Sequence, residues 1–125
     1  MIERRRGDIV FVTSDVAEQV RPFMAGYVAA KNGLEGLAKA MRLEMEGTGV
    51  RVGMVRPGPA MTEQGSTWSG DTIDHILGEW TRHGLIRHGG YLTADHVAAA
   101  VVAMVTVPRG AAFTVIEVQP EAPLT

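Results

Sequence analysis

The sequence predicts an α/β protein: an open parallel sheet of three strands joined by two crossover helices. Three observations predict it. Short β-branched apolar runs occur at residues 8–14, 50–55 and 113–118. Between them the apolar spacing changes to helical three- and four-residue steps. The repeated strand–helix–strand order requires long crossovers, which parallel strands need and hairpins do not.

The first run, Asp8-Ile9-Val10-Phe11-Val12-Thr13-Ser14, follows Gly7 and is nearly all apolar. It reads as a strand buried on both faces. Arg21-Pro22 breaks the chain into a loop. From about 23 to 46 the pattern is helical, with Leu34, Leu37, Ala38, Met41 and Met45 on one stripe. Gly47 and Gly49 end it. Residues 50–55 form the second strand, closed by Arg56-Pro57-Gly58-Pro59. An insertion follows, glycine-rich from 60 to 90, with one amphipathic helix marked by Ile73, Ile76, Leu77 and Trp80. Thr93 is the N-cap of a helix to about 107, rich in alanine and valine and expected to be well buried. Pro108-Arg109-Gly110 turns the chain into the third strand. The crossovers are expected to be right-handed. Ligands of such sheets bind outside the carboxyl ends of the strands, where Ser14 and Pro57-Gly58 stand.

Composition narrows the function. The chain of 125 residues is 46% apolar and 21% charged, with net charge −2. That is room for one domain with a modest core, and nothing points to nucleic acid or an anionic membrane as partner. Cysteine is absent, which removes disulfides and thiolate metal sites and makes a cytoplasmic location the expectation. MIERRRGD lacks the apolar stretch of a signal peptide. His75, His83, His88 and His96 have no tight ligand spacing, so no metal is expected.

The chemistry is carried by Tyr27 and Lys31. Residues four apart share a helix face, so phenol and ammonium enter one volume. A free phenol is a poor base near neutrality; a fixed cation favours its ionised form, giving a proton donor and acceptor. A serine at the adjacent strand end holds a carbonyl or alcohol oxygen against it. The set suits proton transfer at oxygen while a hydride, supplied by a cofactor, moves at carbon. Each residue also has a plainer reading. Tyr27 packs, Lys31 is solvated, Ser14 and Pro57-Gly58 form turns, and Asp71, Asp74 and His75 are the polar face of a helix. Met24, Met54 and Met61 line the cleft or fill gaps. Arg56 faces substrate or solvent.

Ser14, then Tyr27-Val28-Ala29-Ala30-Lys31, then Pro57-Gly58 with Thr62 resemble the short-chain dehydrogenase/reductase family. The three motifs occur in the family's order, and the three strands resemble its last three. The resemblance implies a partial Rossmann-like, doubly wound sheet and an NAD- or NADP-dependent oxidoreductase interconverting a carbonyl and an alcohol. It implies Tyr27 as acid/base, Lys31 on the nicotinamide ribose and Ser14 on the substrate oxygen. Pro57, Gly58, Ala60 and Thr62 would meet the nicotinamide end. Residues of about 63–90 would be the substrate lid. Partners would be a small carbonyl or alcohol and further copies in a homo-oligomer. The glycine-rich pyrophosphate turn, the residue reading the adenosine ribose and the Asn-Ala-Gly segment are not in the sequence. The chain therefore resembles a C-terminal half, with Met1 an internal methionine of a longer product. The other reading is a non-enzymatic remnant or assembly module unable to hold a dinucleotide.

Overall fold

The computed structural model describes residues 1–124. Strand β1 (Gly7–Val12) leads through a 3-10 turn (Asp15–Ala17) to helix α1 (Ala25–Glu44). Strand β2 (Val50–Pro57), helices α2 (Gly70–Arg82) and α3 (Ala94–Thr106), and strand β3 (Val115–Val118) follow. All three strands are parallel, in the order β1-β2-β3, with Val10 opposite Gly53 and Val55 opposite Ile116. The α/β class and the sheet are those expected from the sequence.

Alternation along β2 assigns the helices to faces. Val55 packs with Ala100 and Met104 of α3, joined by Val10, Ile116 and Val118. The neighbouring Arg56 side chain reaches Glu35 of α1. Hence α1 and α3 lie on opposite faces, and the sheet is doubly wound. Both crossovers step the same way across the sheet, so helices on opposite faces give them opposite hands. The expectation of two right-handed connections therefore fails for one. The handedness rule assumes a strand feeding directly into its helix. The second connection instead carries the long excursion of 60–92, which takes the chain round to the other face.

Two burial expectations also change. β1 is half-exposed along its length, since its outer edge pairs with nothing among the described residues. α3 buries only Ala100 and Met104, leaving Val102 and Val105 exposed. Met54 is fully buried in the sheet and does not line a cleft. Gly53 has a packing reason. A Cβ there would stand 2.5 Å from the Met104 sulfur and 2.6 Å from the Phe113 carbonyl oxygen, so glycine lets α3 and the approach to β3 close on β2.

Helix α1 is tied to the sheet along its length. Lys31 Nζ donates to the Val12 carbonyl at 3.1 Å. Glu35 meets Arg56. Arg42 donates to the carbonyls of Val52 (3.0 Å) and Thr114 (2.7 Å). Its N-terminus thus sits over the carboxyl ends of β1 and β2.

Candidate active site at the carboxyl ends of the strands

β1 ends two residues earlier than the sequence pattern suggests: Thr13 N–H still donates to the Val55 carbonyl at 2.8 Å, and the chain then turns away at Ser14. Ser14 is the N-cap of the 3-10 turn, its Oγ accepting from Val16 N at 3.3 Å and donating to Asp15 Oδ1 at 3.3 Å. It is buried. Tyr27 lies in the first turn of α1 and is half-buried. Lys31 Nζ stands 5.5 Å from the centroid of the Tyr27 ring while bonded to the Val12 carbonyl. The structure therefore brings Tyr27, Lys31 and the strand end that carries Ser14 together. No hydrogen bond joins the Ser14 and Tyr27 hydroxyls among the described residues.

Pro57 is the last residue of β2, and the buried Gly58 extends the ladder by donating its N–H to the Val118 carbonyl at 2.7 Å. Ala60 forms an isolated parallel bridge with Leu92. Met61 N and Pro59 O point to Leu92, so the Ala60 N–H and C=O point the other way. Thr62 is exposed, its hydroxyl accepting from Gln64 N at 3.2 Å. These residues follow β2 at the same end of the sheet.

Two buried ion pairs surround this end, and sequence reasoning missed both. Asp15 and Arg21 form a bidentate pair at 2.8 and 2.7 Å. The Arg21 guanidinium lies 5.6 Å from the Trp80 ring, and Trp80 Nε1 donates to the Pro22 carbonyl at 2.9 Å. Phe23, at φ 66°, stacks at a tilt on His75 with centroids 5.1 Å apart. Helix α2 is thus docked on the segment leading into α1.

The second pair is Glu35 and Arg56, with Nε to Oε1 and Nη2 to Oε2 both at 2.8 Å. Thr13 Oγ1 donates to the same carboxylate at 3.2 Å. Arg56 also meets the exposed Glu18 at 3.0 Å and Glu117 at 3.5 Å. The hydrogen bonds from Arg56 hold the Glu35 carboxyl below the ordinary value of 4.5 despite its burial. Reciprocally, Glu35 raises Arg56. Arg56 thus faces neither substrate nor solvent. One signal was available: Glu35 follows Lys31 by four residues on the inward stripe that holds Ala38.

A cavity of about 530 Å³ opens at the other end of the sheet, lined by Arg5, Arg42, Arg51 and Arg109 among others. Arg42, Arg51 and Arg109 are engaged with backbone carbonyls, and Arg51 and Arg109 also with the Asp8 carboxylate. Arg51 takes the carbonyls of Val105, Val107 and Ala111, and Arg109 that of Gly49. Cations there complement the carboxyl ends of α1 and α3. No group of three potential metal ligands comes together among the described residues, and no described helix is long and apolar enough to cross a membrane.

The family model for short chain dehydrogenases matches residues 1–72. The chain belongs to the short-chain dehydrogenase family. Among curated relatives, a protein of Xanthobacter autotrophicus named an inactive 2-(S)-hydroxypropyl-CoM dehydrogenase is 37% identical over 103 residues, 82% of this chain and 44% of that protein. The 3-oxoacyl-[acyl-carrier-protein] reductase FabG of Staphylococcus epidermidis is 35% identical over 77 residues, 62% of this chain and 32% of that one. A closed form of serine dehydrogenase complexed with NADP+ superposes with a TM-score of 0.74 over 100% of this chain and 50% of that one. At 24% identity that is a likeness of fold. This short-chain dehydrogenase chain spans less than half the length of those two curated relatives.

Proposed function

We propose that this chain is the catalytic half of an NAD(P)-dependent oxidoreductase that interconverts a small-molecule carbonyl and alcohol. The observation that carries the reading is the placement of Lys31, anchored on the Val12 carbonyl and 5.5 Å from the Tyr27 ring, at the carboxyl end of the sheet. Family membership and the likeness to an NADP+-bound fold support it.

The residues present fit the nicotinamide end of a dinucleotide. Ala60 turns a backbone donor and acceptor away from Leu92, Thr62 offers a hydroxyl, and Lys31 offers an ammonium. When bound, the dinucleotide supplies the hydride. Tyr27 gives its phenol proton to the oxygen that becomes the alcohol, or takes it back in the reverse direction. The Lys31 ammonium stabilises the negative charge left on the phenol oxygen. Ser14 orients the substrate oxygen, which requires its Oγ to leave the contact with Asp15. The segment of about 63–90, carrying α2, acts as a lid docked through Trp80, Pro22 and Arg21. Further copies of the chain are the expected macromolecular partners, because α3 exposes Val102 and Val105.

The test supplies a dinucleotide-binding half ahead of Met1 and follows deuterium from 4-deuterated NADH or NADPH into a panel of ketones and aldehydes. Transfer to carbon is expected. A second reading, a non-enzymatic member of the family, is favoured by one observation: the Ser14 hydroxyl is buried and engaged within its own turn. Absence of dinucleotide binding and of transfer across the panel would select it.

A further inference from the structure

Glu35 stands outside the Tyr-x-x-x-Lys motif, yet its carboxylate touches the residues that precede two segments of the site. Thr13, which donates to it, precedes Ser14. Arg56, which grips it with two hydrogen bonds, precedes Pro57-Gly58. Glu35 itself lies one helical turn beyond Lys31, on the same face of α1. We propose that Glu35 is a positioning residue: its buried carboxylate fixes the spacing between the Ser14 turn, the Tyr27–Lys31 face and the Pro57–Gly58 segment. The proposal rests on the reading of these three segments as one active site.

The geometry favours this role over a simple packing tie. A hydrophobic side chain at position 35 would pack α1 on the sheet equally well, and buried ion pairs are weak sources of stability. What the pair adds is direction. A bidentate guanidinium–carboxylate contact fixes both distance and plane. Thr13 adds a third donor to the carboxylate, and its own N–H and Oγ1 also reach the Val55 carbonyl at 2.8 and 3.3 Å. The end of β1, the end of β2 and the first half of α1 thereby become one rigid unit. A site that moves a proton while a hydride moves needs such support, since small misplacements are costly in rate.

The experiment uses the 125-residue chain and needs no turnover. Its tyrosines are Tyr27 and Tyr91 and its lysines Lys31 and Lys39, so selective ¹³C labelling gives a sparse NMR spectrum. The parent should show a cross-peak between the Tyr27 ring and the Lys31 ε-methylene. In Glu35→Gln that cross-peak should vanish. Amide exchange at Thr13, Val28 and Gly58 should quicken together by about tenfold through local opening. Met104→Ala, a comparison cavity on the opposite face, should lower stability while leaving the cross-peak in place. Arg56→Lys keeps a cation but loses the fork, and supplies the comparison if Glu35→Gln does not fold. A folded Glu35→Gln or Arg56→Lys variant with the parent cross-peak and exchange rates would overturn the proposal. That outcome is separate from a failure of hydride transfer, which would count against the proposed reaction alone.

Discussion

Removing the cation from the buried pair, Arg56→Met, is expected to destabilise the chain severely at neutral pH and far less in acid. Arg56 donates twice to a carboxylate that is 4% exposed. In the variant Glu35 keeps only the Thr13 hydroxyl and Lys39, whose Nζ is 3.9 Å away on an exposed side chain. Breaking a buried pair from one side costs about 3–5 kcal/mol. The lost contacts to Glu18 and Glu117, on side chains 64% and 47% exposed, add about 0–1 kcal/mol each. The sum is a large share of the roughly 5–15 kcal/mol that holds a domain together. With a urea slope of about 1–3 kcal/mol per molar, the midpoint should fall by roughly 2 M at pH 7.

The pH dependence follows from the direction of the Glu35 shift. In the parent its carboxyl is held below 4.5 in the folded state. Its contribution is therefore complete above that value and is lost as pH falls from there through the lower folded value. In Arg56→Met the same carboxyl is buried without its cation, so burial raises it. Protonation then relieves the variant as pH falls. The two midpoints should converge below pH 4.5. Tryptophan fluorescence in urea at pH 7 and pH 4 measures both. A midpoint loss at pH 7 under about 0.5 M, or one just as large at pH 4, would refute the reasoning.

Three further outcomes are expected. Trp80→Phe removes the donor to the Pro22 carbonyl and weakens the contact with Arg21, costing the docked α2 about 1–2 kcal/mol. Hydrogen exchange should rise across 60–92 and not in the three strands; unchanged exchange there would show that α2 is held by something else. Gly53→Ala forces a methyl against Met104 and the Phe113 carbonyl and should lower stability by about 1–3 kcal/mol in thermal unfolding. A neutral result would mean α3 can retreat freely. In calorimetry the 125-residue chain should bind NADH or NADPH more weakly than micromolar, since under the proposed function it would contact only the nicotinamide end; a micromolar dissociation constant would contradict that.

Much of this fold was legible because local signals agreed with one another. The β-branched runs, the glycines after α1 and the Thr93 cap all point to elements that exist, and the capping box at Thr93 and His96 is present. Ends were less legible. β1 stops at Val12, although Thr13 N–H still donates to the Val55 carbonyl, because Ser14 caps the 3-10 turn that takes the chain away. β3 starts at Val115, two residues later than its apolar run. Handedness was hidden because periodicity does not say which sheet face a helix will cover. Tyr27, Lys31, Ser14 and the Pro57–Gly58 segment were legible as motifs with fixed spacing. Glu35, Arg56, Asp15 and Arg21 were not. A charge looks the same in sequence whether it meets water or a partner 21 residues away, as Glu35 meets Arg56.

The most direct test of the proposed chemistry is the turnover of Tyr27→Phe in a polypeptide that carries a dinucleotide-binding half ahead of this chain. The substitution keeps the ring beside Lys31 and deletes the proton. The rate of carbonyl reduction should fall by about 10²–10⁴, with dinucleotide binding retained. A Tyr27→Phe enzyme that binds the dinucleotide and reduces the carbonyl at the parent rate would contradict the account.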